Sequence, residues 1–268
     1  LSRVLRGKIH FSLRINGKIM KNALLEVENI LAKQAANKER QLFLQNYMKS
    51  KLTFHAVSTP LQRNLHKEGF SFYHPRDFSK ATAFATWEHI WLHSQNFETM
   101  NQSLFFLETL KKEQQLLGTW PQLETWAHRI ENWAHSDGLS NIFASMLEQN
   151  KALIFPTLCE WNSHDNPWLR RQSIVSLYYY SAHRKVKIAP RVALPLVKNL
   201  LLDNEYYVQK GVGWTLREIG NFSKDSLLDF LNKNLNSISS IAITAAMEKL
   251  TEPEKSHFKE KRKILRRK

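Results

Sequence analysis

Apolar residues recur along this chain at α-helical spacing almost from end to end. Within residues 23–33, Leu24, Leu25, Val27, Ile30 and Leu31 gather on one side of a helix. A second helix is expected over about 38–49. Ser58-Thr59-Pro60 predicts a helix start, with Thr59 as N-cap and Pro60 at the first helical position, where a missing N–H is no loss. Helices over 77–93, 97–111, 121–133 and 139–149 follow. Asn166-Pro167 repeats the cap-and-proline signal, and further starts fall near Pro190, Tyr206, Lys224, Ser239 and Glu252. No segment alternates apolar and polar residues over a strand's length, so the fold class is all-α.

The helices also repeat. Trp168-Leu169-Arg170-Arg171 maps onto Tyr207-Val208-Gln209-Lys210 at an offset of 39, which also takes Leu177 to Leu216. A step of 34 takes Leu216 to Leu250. Helix pairs recurring at this period cover one another's apolar faces when stacked. The pattern predicts a curved superhelical array of HEAT-like antiparallel helix pairs, one domain over 20–250. Residues 1–19 are expected as a loosely ordered basic extension, and 251–268 as a basic helix or tail.

Charge refines this picture. The 268 residues carry 39 Lys and Arg against 24 Asp and Glu, a net charge of +15. Residues 1–19 account for +5 of that and residues 255–268 for +7, leaving +3 for 20–254. A cationic surface on the body must therefore come from local clustering, and a polyanion such as DNA is the partner it would suit. No apolar run approaches the length of a membrane span. A lone cysteine, Cys159, excludes an internal disulfide framework and a cysteine-based zinc cluster, and reads as a core thiol in a reducing, cytoplasmic setting. The eleven histidines show no paired spacing backed by carboxylates, so neither a metal nor a cofactor is expected.

Three stretches carry candidate chemistry. Tyr207, Lys210, Trp214 and Arg217 share one stripe of a helix, where cations could pair with phosphates and aromatic faces could lie on sugars or base edges. An aromatic core stripe with snorkelling cations has the same spacing. Gly211 and Gly213 each cost about 1 kcal/mol inside a helix, so something must approach closely there, whether a ligand or a neighbouring helix. Arg170 and Arg171 sit with Trp168 in the first turn of their helix, the end least favourable to cations, as though an anion were expected. Asp137 follows Trp133 by four residues. It is either a carboxylate presented for chemistry or the cap of a helix beginning at Leu139.

Taken together, these pieces resemble the AlkD-type DNA alkylation repair proteins, HEAT-like-repeat DNA glycosylases. The resemblance runs from about Met20 to Leu250. It rests on Tyr47-Met48-Lys49 followed by Ser58-Thr59-Pro60, the pair Trp133 and Asp137, Asn166-Pro167-Trp168-Leu169-Arg170-Arg171, and the run from Val208 to Glu218. It implies Asp137 as catalytic acid residue, Trp133 and Trp214 flanking the substrate, Arg171 clamping the DNA backbone and Tyr47 on the lesion side. Trp168, Arg170, Tyr206, Tyr207, Lys210 and Arg217 are further DNA-contact candidates. Asn132, Ala134, His135 and Ser136 depart from the family's usual filling of the Trp…Asp motif. The implied function is hydrolysis of the N-glycosidic bond of cationic N3- or N7-alkylated purines in duplex DNA, by a nucleoid-associated monomer without metal or cofactor. The alternative is a non-catalytic relative that binds damaged or branched DNA, and a helical scaffold for protein partners is a second rival.

Overall fold

The computed structural model describes the backbone of residues 2–76, 80–112 and 116–265. It is all-α: among the described residues there are helices, two short 3-10 turns and two isolated bridges, and no strand. The chain groups into two compact units, Leu1–Leu116 with Pro121–Asn132, and Leu117–Trp120 with Trp133–Lys268.

The first unit holds α1 (Ser2–Ala32), α2 (Lys38–Met48), α3 (Thr59–Glu68), α4 (Lys80–His93), α5 (Phe97–Lys112) and all but the first residue of α6 (Trp120–Ala127). Residues 2–19, within the stretch expected as a loose extension, continue α1. The face that α1 buries is Ala23, Val27 and Leu31, while Leu25 of the expected stripe is exposed. Thr59 does not cap α3. Ser58 occupies the cap with extended dihedrals, and Pro60 is the second helical residue. The core is aromatic: Trp87, Trp91, Trp126 and Phe106 are sealed from solvent. Trp91 stacks on Trp126 and donates its indole N–H to the Trp126 carbonyl at 3.0 Å, so the polar edge of a buried ring is satisfied. The helix expected over 121–133 stops at Ala127, because His128 and Arg129 turn back on Thr125 and Trp126 and Arg129 donates to the Ser94 carbonyl.

His66 is embedded in that core, 5 % exposed, against the rings of Phe70, Tyr73, Trp87 and Phe105. Burial is the main cause that lowers its pKa from 6.5 to about 4. The hydrogen bond to Gln102 and the charge of Glu108 oppose this, and Arg63 adds to it. The fold thus favours the neutral ring.

The second unit is built from α7 (Trp133–Gln149), α8 (Lys151–Trp161), α9 (Pro167–Tyr178), α10 (Pro190–Asn199), α11 (Tyr206–Gly220), α12 (Lys224–Asn234), α13 (Ser240–Ala246) and α14 (Glu252–Leu265). α7 packs on α9, α9 on α11 and α11 on α13, while α8, α10 and α12 each cover helices of that row. The offsets in the sequence are the spacing of these helices: α9 and α11 start 39 residues apart, and α11 and α13 start 34 apart. Asn166 caps α9, accepting from Trp168 N at 2.9 Å, with Pro167 first in the helix as expected. α14 belongs to this unit, burying Phe258 against the core cluster. Cys159, read as a core thiol, is only partly buried.

Gly213 shows how close the row is. A Cβ there would lie 2.4 Å from the Ala242 carbonyl oxygen and 2.8 Å from the Ala245 Cβ, both on α13. The close approach inferred from its sequence position is therefore a neighbouring helix.

Two outcomes follow from this packing. Gly213→Ala gains helix propensity of about 1 kcal/mol but must push α13 away, at a cost of about 1–3 kcal/mol or more. We expect a net loss of stability in denaturant unfolding, with Gly118→Ala, where nothing lies within 4 Å, as the neutral comparison. For His66, the folded pKa lies below the unfolded one. Its contribution is therefore complete above pH 6.5 and is lost as pH falls toward 4, on the order of 2 kcal/mol by pH 5. Unfolding curves at pH 7 and pH 5 should show that loss in the wild type and not in His66→Phe.

Candidate active site

The site grows from the first turns of α7, α9 and α11. α7 begins at Trp133, six residues earlier than the sequence suggests, so Asp137 is a helix residue and caps nothing. Trp133 and Asp137 then stand one turn apart on the same face, both half-buried. The available signal was Asn132, a favoured N-cap type directly before Trp133.

Buried polar groups lock α7 to α9. Gln172 donates to the Ser136 carbonyl at 2.8 Å and accepts from Ser140 Oγ at 2.6 Å and Ser176 Oγ at 2.8 Å. Arg171, one residue before Gln172, is 6 % exposed. Its Nη2 donates to Asp137 Oδ1 at 2.8 Å, its Nε to Ser136 Oγ at 3.2 Å and its Nη1 to the Tyr207 carbonyl at 2.9 Å. The guanidinium passes over Gly211, where a Cβ would meet Arg171 Cγ and Nη1 at 3.3 Å. One side chain therefore ties α7, α9 and α11 together around the carboxylate. Asp137 keeps 30 % of its side chain exposed, and its Oδ2 accepts no hydrogen bond among the described residues.

Arg171, expected as a clamp on the DNA backbone, is engaged within the fold. Each of its three nitrogens already donates within the fold, and it is too buried to reach outward without breaking that set. Arg170, a further DNA-contact candidate, is also engaged within the fold. It grips Asp203 with Nε and Nη2 at 2.6 and 3.3 Å, and its Nη1 donates to the carbonyls of His164 and Asp165 at 2.8 Å each. The anion anticipated at this helix start is the chain's own Asp203. Arg217 pairs with Glu248 at 2.6 Å and with Glu218 at 3.4 Å while its guanidinium carbon lies 5.7 Å from the Trp214 ring centre. Lys210 is exposed, 5.8 Å over the Tyr206 ring.

The aromatic candidates fall into two groups. Trp168 stacks on Tyr207 at 5.1 Å, and Tyr206 meets Tyr207 edge-on at 5.1 Å, so the residues matched by the 39-residue offset touch in space. Trp214 stacks on Tyr179 at 5.4 Å and meets Tyr180 edge-on at 6.3 Å. The opposite face of α11, with Val208, Val212 and Leu216, is buried as the spacing suggests. Tyr179 and Tyr180 were not anticipated, although the run Tyr178-Tyr179-Tyr180 at the end of α9 was visible. Burial first, and then the nearby charge of Asp137, raises the pKa of the Tyr179 hydroxyl. It stays protonated, and its ring is the one stacked on Trp214. Tyr47 belongs to the first unit, exposed on α2 and stacked on Phe43 at 6.3 Å.

The sequence profile of the DNA alkylation repair enzymes matches residues 31–250. The chain belongs to that family. Solved structures resemble this DNA alkylation repair family member in fold at low identity. One described as a predicted DNA alkylation repair enzyme from Enterococcus faecalis superposes with a TM-score of 0.65 at 15 % identity, covering 81 % of this chain and 98 % of that one. AlkD2 from Streptococcus mutans gives a TM-score of 0.53 at 18 % identity, covering 87 % and 99 %. No curated protein is detectably similar in sequence.

Arg171→Ala should remove three hydrogen bonds, one of them an ion pair, and leave a half-buried carboxylate without its partner, costing roughly 2–3 kcal/mol in unfolding experiments. Arg171→Lys should recover little, since one ammonium cannot span three acceptors set for a planar fork. Equal stability of Arg171→Ala and wild type would show that the clamp contributes nothing.

Proposed function

We propose that this family member is a DNA glycosylase that hydrolyses the N-glycosidic bond of cationic N3- or N7-alkylated purines in duplex DNA. The observation that carries this reading is Asp137: a carboxylate held by one oxygen on Arg171, with the other oxygen unengaged among the described residues and part of the side chain open to solvent.

The chemistry asks for one such group. An alkylated purine that is already cationic departs as a neutral base, so no acid is needed to protonate it. What remains is the positive charge that develops on the deoxyribose as the bond breaks, and the placement of a water. A preorganised carboxylate can oppose that charge and accept a proton from the water through Oδ2. Arg171 acts here as a positioning residue, fixing the rotamer through Oδ1. Trp214 offers an indole face in a cluster with Tyr179, and Trp133 stands one turn from the carboxylate, both suited to lie against a sugar carrying partial positive charge. Tyr206, Tyr207, Trp168 and Lys210 form a neighbouring patch where a backbone phosphate and sugar could rest, and Tyr47 is kept as a lesion-side contact. With Arg170 and Arg217 engaged by carboxylates, Lys210 is the cation among the candidate contacts best placed to meet a phosphate.

Asp137→Asn tests this directly. It keeps an oxygen for Arg171 but removes the charge, so release of 7-methylguanine from methylated duplex DNA should fall at least about a hundredfold, the scale of a single electrostatic catalytic group. Binding to the same duplex should stay near wild type. Wild-type excision by this variant would refute the assignment. A wild-type chain that binds damaged duplex and releases no base would favour the non-catalytic reading.

A further inference from the structure

We propose that Tyr180 is a specificity-determining contact of the candidate site, its ring laid against the cationic base of an alkylated nucleotide so that damaged duplex is bound in preference to intact duplex. The inference rests on the proposed glycosylase reading and adds to it a residue and a basis for selectivity.

Tyr180 directly follows Tyr179, the C-cap of α9, and adopts φ 49° and ψ 69°. That left-handed conformation crowds a Cβ against the backbone, and a helix ending this way usually places glycine or asparagine there. A bulky aromatic residue in its stead persists only where the surroundings hold it. Here buried polar groups do so on both sides. Ser181 is sealed from solvent, and its N–H and hydroxyl each donate to Glu218 Oε2 on α11 at 2.8 Å. Arg184, 8 % exposed, donates from Nε to the Tyr179 carbonyl and from Nη1 to Ser145 Oγ on α7, both at 2.8 Å. The turn is thus pinned to the two helices that carry Trp214 and Asp137.

What the pinned turn presents is an open aromatic ring. Tyr180 is 53 % exposed and meets Tyr179 edge-on at 4.8 Å and Trp214 edge-on at 6.3 Å. Tyr179 and Trp214 are only partly exposed, so Tyr180 gives this cluster of three rings most of its open surface. Trp214 in turn follows Gly211 by less than one turn, and Gly211 is where Arg171 crosses on its way to Asp137. Arg217 already lies 5.7 Å from the Trp214 ring centre, which leaves Tyr180 as the open ring with no cation over it among the described residues. The face of such a ring attracts a flat cation more strongly than a neutral ring of the same shape. A purine alkylated at N3 or N7 is that cation, and the undamaged base is its neutral counterpart.

The test is equilibrium binding of the full chain to two duplexes that differ at one nucleotide. One carries 2′-fluoro-7-methyldeoxyguanosine, whose glycosidic bond the fluorine protects, and the other carries deoxyguanosine. The wild type should prefer the methylated duplex, and Tyr180→Phe should keep that preference. Tyr180→Leu should reduce it roughly threefold to tenfold, the scale of one cation–π contact, while affinity for the intact duplex changes by less than about twofold. Tyr180→Asn, which suits the left-handed backbone, should show the same loss and decides the matter should Tyr180→Leu not fold. An unchanged preference in these variants overturns the proposal, as does an equal loss on both duplexes, which would mean that the ring only props Trp214. Release of 7-methylguanine by the wild type separates the two readings. Release together with an unchanged preference sinks Tyr180 alone. A preference that Tyr180→Leu removes, in a wild type that releases no base, sinks the glycosylase reading and leaves Tyr180 as a lesion-recognition residue.

Discussion

The Arg171 guanidinium on Asp137 is the constraint on which the candidate site depends. A cation so nearly withdrawn from water is tolerable only when its donors are satisfied. Here the acceptors come from α7, as Ser136 Oγ and Asp137 Oδ1, and from α11, as the Tyr207 carbonyl. The carrier, α9, is itself locked to α7 through Gln172. The position of the carboxylate is thus set by the register of three helices. Gly211 enters as the missing side chain that lets the guanidinium reach across α11.

The same economy of charge runs through the second unit. Arg170 on Asp203 and Arg217 on Glu248 and Glu218 join the loops and turns that present the aromatic residues. Arginines that could have made a strongly cationic face are instead structural ties, and the cationic character of the body is modest, as the +3 on residues 20–254 implied. A duplex held here would owe less to phosphate neutralisation and more to sugar and base-edge contacts with Trp168, Tyr206, Tyr207 and Trp214. α14 adds a basic surface of a different kind: Phe258 is packed inward while Lys259 and Lys263 stay outside, so part of the C-terminal charge sits on a fixed helix.

Much of this was legible in the residues, and the misses share a cause. Asn166-Pro167 marked α9 and the offset of 39 placed α11, because caps, prolines and apolar periods are local signals. The stripe on α11 also follows from spacing alone. What local signals lack is the identity of the partner. The first turn of α9 read as a site for an external anion, since nothing in the sequence says that Asp203, 33 residues on, returns to it. α6 ends at Ala127 although the apolar period continues, because Arg129 is held by the Ser94 carbonyl from a distant part of the chain. Gly211 and Gly213 were readable as sites of close approach, but whether a side chain, a helix or a ligand approached could only come from coordinates.

Tyr179 shows how far the site extends beyond the residues that a motif can carry. It sits at the end of α9, where the chain leaves helical dihedrals and Tyr180 adopts a positive φ of 49°. Its ring stacks on Trp214, and burial first, then the charge of Asp137, raises the pKa of its hydroxyl. Tyr179 therefore keeps a hydroxyl donor on the same cluster of helices as the carboxylate. The position of that carboxylate is set by Arg171. In this neighbourhood a buried arginine fixes the Asp137 carboxylate, and a ring at the end of that arginine's helix stacks on Trp214 of the next.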